Sequence, residues 1–211
     1  MVDLSLYLAF VVAAAALCVA PGPDMMFIVA MGGRGGPATG VLAAVGVACG
    51  ALVHALAAMS GLSALFAHLP VLYHVLRWAG AAYLVYLAVK AFRDRSTLQG
   101  DEGPPAGPDP RRLRAFWQGM LTNLLNPKVI LFNIAFLPQF VNPALGHVAG
   151  QLIILGLTLV LLGLCVDAVV GVLSGRLASV LRRSRRVARG LNLFSGSVFA
   201  ALAVRLVTSP E

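Results

Sequence analysis

Three ionisable side chains fall inside otherwise apolar runs: Asp24, Lys128 and Asp167. At the centre of a membrane helix such a group costs about 2.5–3.5 kcal/mol unless it is paired or wet, so each asks for a partner or a function. Asp24 ends the string Pro21-Gly22-Pro23-Asp24. As a carboxylate beside a proline break it could take up a proton or hold a substrate ammonium, and it could also cap the helix that restarts there by accepting free N–H groups. Lys128 closes Asn126-Pro127-Lys128. Pro127 suits the first position of a new half-helix, whose positive end together with the ammonium could hold a carboxylate. The alternative for Lys128 is a structural pair with Asp24 or Asp167. Asp167 is in turn either a proton-coupling acid or the salt-bridge partner of Arg176 or Lys128. His54 has an ordinary pKa near neutrality and could relay protons, or simply bond to a neighbour as a buried histidine. Asn123, Asn126 and Asn133 can lie on related faces of one span, where they could solvate a polar substrate or bond across helices for about 0.6 kcal/mol each.

The elements that must position these residues are membrane helices. The chain is 59% hydrophobic and 11% charged with a mean hydropathy of +0.88, against roughly 45–50% apolar and about 25% charged in soluble domains. That excludes an ordinary soluble enzyme. Its net charge of +8 is clustered between apolar runs, as membrane topology demands, so nucleic acid is not an expected partner. The arginine run at 182–189 is expected to meet anionic lipid headgroups. Cys18, Cys49 and Cys165 each stand alone in apolar sequence, without metal or redox spacing, so no metal or other cofactor is expected. A secretory leader is not expected at the N-terminus, because Asp3 stands where a basic region would be.

About 20 apolar residues cross a bilayer. On that measure six spans are expected, at 4–31, 39–67, 71–92, 115–140, 148–174 and 190–207. Residues 93–114, rich in proline and glycine, form a linker between a first half at 1–92 and a second at 115–211. Three spans per half force the halves into opposite orientations. The expected fold is therefore all-α and polytopic: six transmembrane helices in two inverted three-helix repeats. Pro21 and Pro23 break the first helix and Pro127 the fourth, with Gly22 giving the first break its freedom. Such paired breaks are tolerated in lipid only where protein or a wet cavity covers them, and they mark the binding site of a transporter. Most positive charge lies in the links after spans one, three and five, which assigns that side to the cytoplasm and both termini to the outside. Gly32-Gly33-Arg34-Gly35-Gly36 lacks the surroundings of a phosphate loop and reads as a flexible turn. Gly46-x-x-x-Gly50 and Gly171-x-x-x-Gly175 read as close-packing sites, within one protomer or between copies in a homo-oligomer.

Pro21-Gly22-Pro23-Asp24, the glycine-spaced second span with Gly40, Gly46 and Gly50, the proline-rich middle loop and Asn126-Pro127-Lys128 together resemble the lysine exporter family, of LysE/RhtB type, over almost the whole chain. The resemblance implies a non-enzymatic exporter of amino acids or close derivatives in a bacterial-type inner membrane, driven by the proton motive force. It carries the central site onto Asp24 with Gly22 and Pro23, and onto Asn126 with Pro127 and Lys128. A cavity with Lys128 opposite Asp24 suits a zwitterion, so neutral substrates such as threonine or homoserine are favoured over basic ones. Two rivals are weaker. A thiol-disulfide electron carrier needs a cysteine in both broken helices, and the fourth has none; a metal exporter would group its ligands, and here they are scattered.

Overall fold

The structure is a computed structural model that describes residues 2–68, 70–93 and 110–208. Every regular element among the described residues is helical. Helix α1 (Leu4–Val19) starts on Asp3, whose carboxylate accepts the N–H groups of Ser5 and Leu6 at 3.0 and 3.2 Å. The Ser5 hydroxyl and these N–H groups, with the Asn142 amide, hold the Asp3 carboxyl below its ordinary range. After a break come α2 (Pro23–Gly35), α3 (Pro37–His68) and α4 (Pro70–Arg93). The second half runs through α5 (Pro110–Leu124), α6 (Pro127–Leu131), α7 (Val148–Arg183) and α8 (Arg185–Thr208). Helix α6 continues into a π-helical turn, Phe132–Phe136, and a 3-10 turn, Leu137–Phe140.

Three of the described helices are long and apolar enough to cross a membrane, or five if each bent pair, α1 with α2 and α5 with α6, is one span. The bends are 47° and 49°. Helix α4 occupies the sequence of the third expected span.

Three boundaries differ from expectation. Most of the linker, 94–109, lies outside the described residues, but its end at 110–114 is already helix, because proline is well suited to a helix's first position. The glycine string is no extended turn: α2 runs through Gly35, and only Gly36, at φ 81°, leaves the helix. The basic link after span five is also helical, broken only at Ser184. The Ser184 hydroxyl accepts Val187 N–H at 3.3 Å and caps α8, and arginine is a good helix former.

Lipid tails are as apolar as leucine, so packing rather than water exclusion holds such helices together. Helix α3 lies centrally against α5 and α7, and α4 packs on α8. The approach is close where glycine allows it. A Cβ on Gly46 would run into the carbonyl oxygen of Phe116, and one on Gly40 would sit 2.6 Å from that of Gly171. Gly175, by contrast, faces open space. The buried side chains form two clusters. One is aromatic, with Phe10, Phe132, Phe136 and Phe140 packed in tilted and edge-to-face pairs at centroid distances of 4.7–6.4 Å. The other packs small and branched residues of α2, α3 and α7, among them Ile28, Ala43, Ala44 and Val170. Each bent pair contributes its two arms to different clusters: α1 and the turns after α6 to the first, α2 and α5 to the second.

Candidate functional site

The first break follows from one missing atom. In an α-helix the N–H of residue 21 would fill the Leu17 carbonyl, but Pro21 has none. The residue before it is driven out of helical conformation, and Ala20 is extended at φ −66°, ψ 115°. Both the Leu17 and Ala20 carbonyls are thus left without backbone donors in the interior, where an unmet polar group is costly. The Lys128 ammonium fills them, donating to each at 3.1 Å. It reaches them across Gly22, where a Cβ would stand 3.1 Å from Nζ and 3.6 Å from Cδ. The same ammonium lies 5.5 Å from the centre of the Phe199 ring, a cation–π distance.

The second break is capped by its own sequence. Asn126 is the N-cap of α6 and accepts the Lys128 N–H on Oδ1 at 3.0 Å, with Pro127 in the first position. Its Nδ2 points the other way and donates to Asp24 Oδ2 at 2.9 Å. Asn123 Nδ2 donates to the same oxygen at 2.8 Å. The Asn123 carbonyl meets His54 Nε2 at 3.2 Å. Asp24 is not a helix cap: the N-cap of α2 is Gly22, and no side chain caps it. The expected pairings of Lys128 with Asp24 or Asp167 do not form either, since the ammonium is turned to the carbonyls and Asp24 to the asparagines.

These ties cross between the halves of the chain. Asp24, on the first bent pair, is held by Asn123 and Asn126 of the second; Lys128, on the second, holds the carbonyls of the first.

Two cavities flank them. The larger, about 630 Å³, lies between the breaks, α4 and α8, and is lined by Pro21, Pro23, Tyr83, Lys90, Pro127 and Ser195 among others. It sits toward the basic ends of α4, α7 and α8. The smaller, about 70 Å³, lies midway along α7 and is lined by Cys18, Asp24, Asn123, Asn133 and Asp167 with apolar walls. Gly22 and Lys128 line both, so the broken segments form the partition between them. The Asp167 carboxylate faces the smaller cavity with no protein hydrogen-bond partner, neither Arg176 nor Lys128. Asn133 Nδ2 donates to the Val129 carbonyl at 2.9 Å. Three side-chain oxygens, Asp24 Oδ1, Asn123 Oδ1 and Asn133 Oδ1, are buried without any donor.

Six of the sequence-identified polar residues therefore converge: Asp24, Asn123, Asn126, Lys128, Asn133 and Asp167. His54 joins through the Asn123 backbone and is not among the cavity-lining residues. Sequence reasoning missed Ser195, whose hydroxyl lies 3.4 Å from the Pro21 carbonyl, and Phe199 beneath Lys128. Neither carries a signal that separates it from an ordinary membrane-helix residue. Among the described residues no three His, Cys, Asp or Glu side chains group as metal ligands. The arrangement offers an ammonium, two carboxylates and spare oxygens in an apolar setting, complementary to a small molecule with both charges.

Comparison with known proteins places the chain in a family. Residues 15–210 match the family of LysE type translocators. The chain is 33% identical over 204 residues to a leucine efflux protein of Klebsiella pneumoniae, covering 96% of this chain and 94% of that one. It is 30% identical over 207 residues to a leucine efflux protein of Salmonella choleraesuis, with the same coverage, 96% and 94%. A membrane protein of Pseudomonas aeruginosa is 34% identical over 191 residues, 90% of this chain and 88% of its own. No solved structure matches.

Proposed function

From the premise that this chain belongs to the LysE type translocator family, we propose that it is a secondary active exporter of amino acids or their derivatives, with neutral substrates taken ahead of basic ones. Leucine, the substrate named for two relatives, joins threonine and homoserine as a candidate. Entering protons drive export, and Asp24 or Asp167 accepts them. The two halves act as inverted repeats that rock about the partition between the cavities. The basic helix ends face the cytoplasm, so the larger cavity is the entrance from inside, and the membrane is the bacterial-type inner one.

The observation that carries this reading is the crossed ties. The first break is completed by the ammonium of the second half, and the asparagines at the second break are tied to the carboxylate of the first half, so a zwitterion can replace the ties in kind. Its carboxylate would take the remaining N–H of Lys128, and its ammonium would approach Asp24. Exchanging interactions of equal type lets the halves part without stranding a buried charge, which would otherwise cost several kcal/mol, about 3–5 when one partner is simply removed.

The test is export from dipeptide-loaded cells, following a panel of released amino acids with the wild type and with Asp24→Asn. The amide keeps an oxygen for Asn123 and Asn126 and preserves shape. Selective release by the wild type, lost in the variant, is expected. Retained release would reduce Asp24 to an anchor for the asparagines, and no release of any amino acid by the wild type would remove the exporter reading.

A further inference from the structure

We propose that the smaller cavity contains a primary-ammonium subsite formed by three oxygens, Asp24 Oδ1, Asn123 Oδ1 and Asn133 Oδ1, with the Asp167 carboxylate on its wall. The proposal deepens the exporter reading and rests on it for the identity of the cargo.

All three oxygens belong to residues lining one cavity, and all three are buried without a donor. Asn123 and Asn133 are each only 2% exposed. Their amides cannot turn round to help. Asn123 Nδ2 already faces a carboxylate and Asn133 Nδ2 a carbonyl, so reversing either would set oxygen against oxygen. What the site lacks is donor hydrogen. The protein's own supply is committed: the amide of Asn126 also goes to Asp24, and Lys128 gives two of its three N–H groups to Leu17 and Ala20. A primary ammonium brings three N–H groups on one atom, and its charge suits a wall carrying two carboxylates.

The backbone supports a built site. Residues Phe132–Phe136 are π-helical, and such turns recur at functional sites. The Asn133 side-chain amide donates to the Val129 carbonyl one turn back, which fixes the amide and leaves its oxygen unmet. Val47, Ala48, Ala51 and Leu159 line the remainder, so the group carrying the ammonium is expected to be apolar.

The experiment uses the full-length protein in proteoliposomes, with leucine exchange as the signal and two leucine analogues as competitors. One is 3-methylbutan-1-amine, which keeps the ammonium and lacks the carboxylate; the other is 4-methyl-2-oxopentanoate, which keeps the carboxylate and lacks the ammonium. The amine is expected to compete and the oxo acid to do so at least about 10-fold more weakly, as loss of charged hydrogen bonds implies. Asn133→Val should weaken leucine and the amine by about 10-fold while leaving the oxo acid unchanged. Asn133→Thr has the same outline but a hydroxyl that can donate to Val129 and offer an oxygen, and should recover to within about 3-fold of wild type. Equal competition by both analogues, identical behaviour of the Val and Thr variants, or binding that follows sodium concentration rather than the amine would each overturn the subsite. The two readings fail separately. No exchange of leucine, threonine, homoserine or any other amino acid, while 3-methylbutan-1-amine still raises the thermal midpoint in an Asn133-dependent way, would sink the exporter and uphold the subsite.

Discussion

The two helix breaks bend by nearly the same angle, 47° and 49°, yet they are completed by opposite chemistry. At the first, Pro21 removes a donor and leaves carbonyls bare, and the capping position is a glycine with nothing to offer. The break is short of N–H groups, and Lys128 supplies them from the other half. At the second, Asn126 caps the new helix with its own oxygen, and its surplus N–H groups, with those of Asn123, are turned on Asp24. One break consumes donors and the other exports them. Similar backbone geometry therefore hides a division of labour: shape is repeated between the halves, but polarity is inverted, and this inversion ties them to each other.

The largest effect expected from disturbing this comparison is at Lys128. Lys128→Met keeps the stem and removes the ammonium, leaving Leu17 and Ala20 carbonyls unmet. Export should fall to background and stability by about 3–6 kcal/mol, the scale of two hydrogen bonds to a charged group. The check is the thermal midpoint of the purified protein alongside export. Lys90→Met is the control, because Lys90 also lines the larger cavity but completes neither break. If both variants keep export and midpoint, the first break does not depend on its partner.

Asn126 should come next, because the second break relies on it twice. Asn126→Ala removes the cap and one bond to Asp24 and should cost about 1–2 kcal/mol. Asn126→Ser restores a capping oxygen but is too short to be expected to reach Asp24. The serine variant should therefore recover thermal stability without recovering export. Recovery of both would mean that the second break needs only a cap, and that the tie from Asn126 to Asp24 is incidental.

The contrast also explains what was legible in the sequence. The positions of the breaks were, because proline dictates them locally. The interior placement of Asp24, Lys128 and Asp167 was legible too, since an ionisable residue stands out in an apolar run. Their partners were not. Opposite charges suggested a pair between Lys128 and an aspartate, and the stronger signal lay elsewhere: Pro21 already implies that the Leu17 carbonyl lacks its donor. The asparagines on Asp24 lie 99 and 102 positions away, a distance over which pattern carries no information. Helix ends were misread where local chemistry opposed composition, at Ser184 within the arginine run and at Gly36, where a single residue turns the chain. The π-helical turn that carries Asn133 leaves no trace in residue types.

The smallest expected effect tests whether the first break needs its glycine for room or for conformation. Gly22 has φ −147° and ψ −175°, an extended backbone open to any residue, so alanine there carries no strain. Its Cβ would stand 3.1 Å from Lys128 Nζ, the movable end of a long side chain, which can give way by a few tenths of an ångström. Gly22→Ala should change stability by less than about 1 kcal/mol and reduce export by a few-fold, because it shifts the ammonium without removing it. Gly36→Ala reverses the pattern. Gly36 meets nothing within 4 Å of a built Cβ but has φ +81°, so alanine there should cost about 1 kcal/mol and leave export per folded molecule intact. Opposite responses in midpoint and export at the two positions would locate the sensitivity of the first break in the space Gly22 leaves for Lys128. Parallel responses would make it a matter of backbone freedom alone, and the inverted polarity of the two breaks would lose its structural basis at Gly22.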